Sequence, residues 1–253
     1  MLSPSYPFSG TTALITGANG GIGQCLVRKF AEQGANIICC LRKNNEDFDK
    51  FILSLKLKSD QFIRPVYFDL ADEQQTKIAI NQLIKEKISL DILVNNAAIA
   101  GGSSAEMTSL NDLREIFEIN FFSQISLITR LLRLLKKSNQ GRIINIGSVA
   151  GLIGDRGTLS YGASKSALMY ATKVMANEFA SYNITVNSVA PGVVSAGMVS
   201  KMDPSSRDQM TNASFMQKES TPDDIANAVL FLADKASGLI TGQTLRVDGG
   251  MKS

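Results

Sequence analysis

Seven short apolar runs stand along the chain, and each of the first six is followed by a turn and a helical or irregular stretch. "TALIT" (12–16) leads to a helix expected over 21–33. "NIICC" (36–40) leads to an amphipathic stretch over 46–58, and "RPVYF" (64–68) to a helix over 73–87. "DILVN" (91–95) leads to a long helical region, 108–138, and "RIINI" (142–146) to a helix over 158–181. "ITVNSVA" (184–190) precedes a longer irregular segment, and a last helix, 222–233, leads to "QTLRV" (243–247). Strands this apolar must be covered on both faces, and helices between them allow parallel neighbours. The expectation is an α/β fold, a doubly wound parallel seven-stranded sheet with helices on both faces. No linker, low-complexity tract or internal repeat divides the chain, so residues 1–253 read as a single domain. Ligands of such sheets bind beyond the carboxyl ends of the strands, so the chemistry is expected just after each run.

Composition removes several function classes. The chain has no histidine, which excludes Ser-His-Asp catalysis and any His-ligated metal site, and no metal is expected. The formal net charge is +3, and Arg42-Lys43 and Lys136-Lys137 are too short to be a nucleic-acid or membrane patch. The start, "MLSPSYPFSG", has no basic segment followed by an apolar one, so no signal peptide is read there. No run approaches the ~18 apolar residues of a membrane span. Cys25, Cys39 and Cys40 cannot all pair among themselves, and they read as reduced core residues of a cytoplasmic protein.

After the first run comes "TGANGGIG" (16–23), a glycine-rich strand-to-helix corner. Glycines there let backbone N–H groups approach a pyrophosphate at a helix N-terminus, although such a corner can also be an empty tight turn. Further on, "SYGASKSALMYATK" (160–173) sets Tyr161 and Lys165 one helical turn apart. A Tyr–Lys pair at this spacing is more often a packing pair. A cation one turn away would, however, favour the phenolate and lower the phenol pKa, suiting the tyrosine to acid–base work.

"TGANGGIG", "NNAA" (95–98), Asn120, Ser148, "YGASK" (161–165) and "PG" (191–192) stand in the order found in the short-chain dehydrogenase/reductase family. The chain resembles that family from about Gly10 to Met251, and within it the bacterial 3-oxoacyl-[acyl-carrier-protein] reductase-like group. The resemblance implies a Rossmann-type fold and a nicotinamide cofactor. It implies that Tyr161 is the general acid/base and that Ser148 hydrogen-bonds the substrate oxygen. Lys165 would hold the nicotinamide ribose, and Asn120 would position a water linking Lys165 to solvent. Gly17, Asn19, Gly21, Ile22 and Gly23 would seat the pyrophosphate. Asp69, with Leu70 beside it, would contact the adenine, and Asn95 and Ala97 would line the adenosine and phosphate side. Pro191, Gly192 and Val194 would lie along the nicotinamide.

At the second strand's end, Leu41 stands where an NAD-binding carboxylate falls in relatives, and Arg42 and Lys43 follow, which favours NADP(H) over NAD(H). Asn19 and Gly20 lack the basic residue of many NADP-using relatives. Ala196 replaces the threonine that often contacts the nicotinamide carboxamide. The substrate loop is expected over 193–220, with Met198, Met202, Met210 and Met216 as an adaptable apolar surface or as the buried face of a lid helix. The two arginines that dock an acidic carrier protein in the reductase group are Asn139 and Tyr182 here, with Lys136, Lys137 and Arg142 nearby. The substrate is therefore a small molecule or an acyl thioester, possible forms being a 3-oxoacyl thioester, a keto-sugar, a polyol or a cyclic ketone. A nucleotide-sensing binding protein is the non-enzymatic alternative. The resemblance also implies a homotetramer, pairing helices 108–138 and 158–181 across a two-fold axis.

Overall fold

The computed structural model describes residues 7–197 and 204–252. Its seven strands are β1 (Thr12–Thr16), β2 (Asn36–Leu41), β3 (Ile63–Tyr67), β4 (Ile92–Asn95), β5 (Gly141–Ile146), β6 (Ile184–Pro191) and β7 (Thr244–Val247). They form one sheet in the order β3-β2-β1-β4-β5-β6-β7, and every neighbouring pair is parallel. The strand order reverses between β1 and β4, which opens a crevice beyond their carboxyl ends. The chain is thus a Rossmann-like doubly wound domain.

Helices α1 (Gly21–Glu32), α2 (Glu46–Ser54) and α8 (Pro222–Ala233) bury Phe30, Phe48 and Val229 in the core on one face. Helices α3 (Glu73–Lys85), α5 (Ser123–Leu135) and α6 (Leu159–Phe179) bury Leu83, Leu131 and Met175 on the other. The adjacent cysteines report this division. Cys39 belongs to the first core and Cys40 to the second, as the two-residue period of a strand requires. All three cysteines are free and buried, and burial pushes the Cys39 thiol up to about 12.

Two segments differ from the sequence reading in ways that matter for the site. Helix 108–138 is not continuous. It comprises α4 (Leu110–Phe117), a π turn (Glu118–Phe122) and α5. The Ser123 N–H bonds the Glu118 carbonyl and so spans one residue more than an α-helical bond. The Ser123 hydroxyl donates to the same carbonyl at 2.6 Å. The extra residue lets Asn120 turn inward, a use of π turns common at functional sites. In the irregular segment after β6 lies α7 (Pro204–Asn212). Met198 and Met202 lie outside the described residues, Met210 is half-buried and Met216 is exposed.

Both ends of the 193–220 segment are anchored. Ser195 N–H donates to Ser220 O at 2.9 Å and Ser220 N–H to Val193 O at 2.8 Å. Arg207 on α7 ion-pairs with Glu219 on the return strand of the loop.

The glycine corner shows why its residues are small. Gly17 has φ +61°, in the left-handed region, and a Cβ there would meet Ala97 Cα at 2.9 Å. A Cβ on Gly23 would sit 2.2 Å from Gly17 O, so the first turn of α1 closes directly on the β1 corner.

Candidate active site and dinucleotide groove

A cavity of about 300 Å³ opens at the carboxyl ends of β1, β4, β5 and β6. The β1–α1 corner supplies Gly17, Asn19, Gly21, Ile22 and Gly23 to its lining. The β5 end and α6 supply Ser148, Tyr161 and Lys165, and the β6 end supplies Pro191, Gly192 and Val194. Ala97, after β4, completes the contour. Residues separated by up to 180 positions (17 to 197) therefore share one concave surface.

Helix α6 presents Tyr161 and Lys165 to the cavity. Lys165 is only 2% exposed, and its Nζ donates to Ile146 O at the end of β5 at 2.7 Å. Burial alone lowers its ammonium pKa to about 8. Its Nζ lies 5.8 Å from the centroid of the half-buried Tyr161 ring. The expected lowering of the Tyr161 phenol by Lys165 is not seen. Burial pushes that phenol up, and the Ser148 hydroxyl pulls it partly back. Ser148 caps the short 3-10 turn Val149–Gly151, accepting the Ala150 N–H at 3.1 Å, and also lines the cavity. Its cap role and its place beside Tyr161 coexist.

Two expected site residues are placed differently. Asn120 is fully buried and its side chain does not reach the cavity. Its Oδ1 accepts the Ile99 N–H at 2.9 Å, while Nδ2 donates to Ile99 O at 3.0 Å and to Ser164 Oγ at 3.2 Å. Both amide hydrogens are thus engaged, and the side chain clamps the loop after β4 to α6. Asn95 is 1% exposed and stands behind the cavity, not along it, because its Nδ2 donates to Asn145 Oδ1 at 2.8 Å. Its neighbour Asn96 lines the cavity, and Asn96 Nδ2 donates to Thr16 O at 2.9 Å and Gly17 O at 3.1 Å. Thr16 Oγ1 in turn accepts the N–H groups of Asn96 and Ala97, each at 2.9 Å. Sequence reading missed Thr16 and Asn96 because their work is done on backbone groups. The doubled asparagine of "NNAA" was the available signal.

The strand ends β1, β2 and β3 continue the groove outward. Ala18 N–H reaches Cys40 O at 3.4 Å, and Phe68 N–H donates to Leu41 O at 2.9 Å. Arg42 is exposed directly after β2, and Leu41 before it is buried. Asp69 follows β3 and folds back to accept the Ala71 N–H at 2.9 Å. It is not the N-cap of α3, since Asp72 takes that position and accepts the Gln75 N–H at 3.0 Å. Leu70 is half-buried and packs on the second core. None of Arg42, Asp69 and Leu70 touches the cavity itself.

The lining fits a nicotinamide dinucleotide. The first turn of α1 has no side-chain cap and no acidic residue, so its N–H groups are free to face an anion. None of the described lining residues carries a carboxylate that would repel a pyrophosphate. Ala196 closes the corner from the β6 side: a Cβ on Gly21 would sit 2.9 Å from the Ala196 Cβ. The corner is too tight for larger side chains at either position.

Burial of Lys165 has a measurable consequence. Its folded pKa of about 8 lies below the ordinary 10.5, so between these values the folded state binds fewer protons than the unfolded chain. Cofactor-free wild type should therefore gain stability relative to Lys165→Met as pH rises from about 8 to 10.5, by up to about 3 kcal/mol. Urea denaturation of both proteins across that range measures it. A stability difference that does not change with pH contradicts the burial of a protonated lysine.

Comparison with known proteins agrees with this geometry. The family model described as enoyl-(acyl carrier protein) reductase matches residues 17–252. The chain is 38% identical over 243 residues to the 3-oxoacyl-[acyl-carrier-protein] reductase FabG of Rickettsia bellii, covering 96% of this chain and 97% of that protein. It is 32% identical over 241 residues to the FabG of Staphylococcus aureus strain Mu50, covering 95% and 97%. A solved short-chain dehydrogenase/reductase from Serratia marcescens superposes with a TM-score of 0.89 at 29% identity, over 98% of this chain and all of that one. By its sequence, its fold and the grouping of Tyr161, Lys165 and Ser148, the chain belongs to the short-chain dehydrogenase/reductase family, oxidoreductases that act on CH–OH groups.

Proposed function

We propose that the protein is an NADP(H)-dependent reductase that interconverts a carbonyl and a secondary alcohol, with a 3-oxoacyl thioester as the substrate class. The observation that carries this reading is the placement of Tyr161, Lys165 and Ser148 on the wall of a cavity whose opposite wall is the glycine corner. The bound nicotinamide supplies the hydride. Tyr161 gives its phenolic proton to the substrate oxygen as that oxygen gains charge, and a phenol held high by burial is in its protonated form for this step. Ser148 fixes the same oxygen by a hydrogen bond. Lys165 turns its ammonium from the Ile146 carbonyl toward the cofactor ribose and the Tyr161 hydroxyl, adding the positive charge that eases proton loss.

NADP(H) follows from the end of β2. No carboxylate stands there before Glu46, the first residue of α2, and Arg42 is exposed where a 2′-phosphate would lie. The 3-oxoacyl thioester follows from the names of the relatives. Carrier-protein docking is weaker in this reading. Arg142 is 3% exposed and donates to Gly141 O at 3.0 Å, so it cannot stand in for a docking arginine. Lys136 lies 3.4 Å over the Tyr182 ring and spends its charge there. Small thioesters or ketones should then serve nearly as well as carrier-bound ones.

The homotetramer remains part of the proposal. Phe122, Leu159 and Tyr170 expose 54%, 48% and 71% of their surface on and beside α5 and α6, the helices expected to pair. No helix among the described residues is long and apolar enough to cross a membrane.

Tyr161→Phe should leave NADPH binding near normal and lower turnover by about 10²–10⁴. Steady-state kinetics with fluorescence titration of NADPH checks both, and retention of more than about a tenth of turnover removes Tyr161 as the acid. Arg42→Ala should weaken NADPH far more than NADH, because only the former carries the phosphate. Equal losses for the two cofactors show that Arg42 does not read it.

A further inference from the structure

We infer that Thr172, which is not among the residues lining the cavity, is a positioning residue that holds α6 at the height where Tyr161 and Lys165 meet the groove. The inference rests on the reading of Tyr161 and Lys165 given above. Thr172 lies seven residues beyond Lys165, two helical turns along the same face. The two side chains grip consecutive residues of β5. Lys165 Nζ donates to Ile146 O at 2.7 Å, and Thr172 Oγ1 accepts from Asn145 Nδ2 at 2.8 Å. Thr172 then passes its own proton to Leu168 O at 2.9 Å.

Asn145 is the hub of this arrangement. Its Oδ1 accepts from Asn95 on β4 at 2.8 Å, and its backbone carbonyl accepts from Ser188 on β6 at 2.9 Å. Asn145, Thr172 and Ser188 are fully buried and Asn95 is 1% exposed. Through Thr172, α6 is therefore referenced to β4, β5 and β6, three of the four strands whose ends build the cavity.

The division of labour explains why two pins are needed. Lys165 is a pin on β5 only while its ammonium faces Ile146. In the proposed reaction that ammonium turns to the cofactor, and the pin opens. Thr172 keeps its bond in both states because it has no other duty. A slide or tilt of α6 by a fraction of an ångström at that moment would move the Tyr161 hydroxyl off the substrate oxygen, and acid catalysis is sensitive to such displacement. The same loosening would admit water around Lys165 and relieve its burial.

Thr172→Val keeps the shape and removes the hydroxyl, and Thr172→Ser keeps the hydroxyl. Thr172→Val should lower kcat at least tenfold while KM for NADPH stays within about threefold. In the cofactor-free protein, the Lys165 titration midpoint, followed by NMR of its Cε, should rise from about 8 by half a unit or more. Thr172→Ser should restore both values. Unchanged kcat and midpoint in Thr172→Val overturn the inference, and so does a Thr172→Ser protein as impaired as Thr172→Val, which would mean packing rather than the hydroxyl. If Thr172→Val does not fold, Thr172→Ala against Thr172→Ser gives the same contrast, and equal values for those two overturn it. The NMR titration needs no turnover, so the two readings fail separately. Full turnover in Tyr161→Phe removes the assignment of the acid, whereas an unmoved Lys165 midpoint in Thr172→Val removes the role of Thr172.

Discussion

A lysine ammonium buried against the carbonyl that ends β5 is the contact on which this structure turns. Lys165 sits where water cannot reach it, and its one hydrogen bond among the described contacts goes to Ile146 O. Leaving a cation there is costly unless the site uses it. The surrounding architecture makes the placement possible. Close glycine contacts bring α6 down onto the β5 corner: a Cβ on Gly162 would sit 2.4 Å from Ala150 O, and one on Gly151 2.7 Å from Ser166 N. The helix is thereby low enough for Lys165 to reach the strand and for Tyr161 to face the groove.

The rest of the site is built by backbone groups that polar side chains hold in place. Thr16 and Asn96 lock the loop after β4 to the β1 corner. Asn120, turned inward by a π turn, locks the same loop to α6. Ser220 stitches the far end of the 193–220 segment to the β6 exit and donates to Val247 O at 3.0 Å. Tyr161, Lys165 and Ser148 thus share one wall of the cavity, and a larger set of polar side chains holds the backbone around them.

Much of this was legible in the sequence. Strand runs as apolar as "IICC" and "IINI" can only be central strands of a covered sheet, and all seven strands and the α8 range match the reading within about two residues. The glycine corner, Ser148, Tyr161 and Lys165 were readable because side-chain chemistry at fixed spacing carries the signal. The features that the sequence did not report share a physical cause. Asn95 and Asn120 are buried polar side chains whose partners lie 50 and 44 residues away, Asn145 and Ser164, and no local pattern reports such a pairing. The π turn is one extra residue in a helix whose apolar spacing continues on both sides, so periodicity passes over it. The expected lowering of the Tyr161 phenol considered the neighbouring cation and not the desolvation of both groups, which the fold imposes.

The central claim is that this cavity brings a nicotinamide ring and a carbonyl into direct contact beside Tyr161 and Ser148. It is tested most directly by following the hydrogen. A short 3-oxoacyl thioester is reduced with NADPH carrying deuterium on one face of the nicotinamide C4, and then with deuterium on the other face. The account predicts that deuterium from one face alone appears on the new carbinol carbon, with none lost to water. A product without deuterium from either face, or with equal label from both, would contradict it.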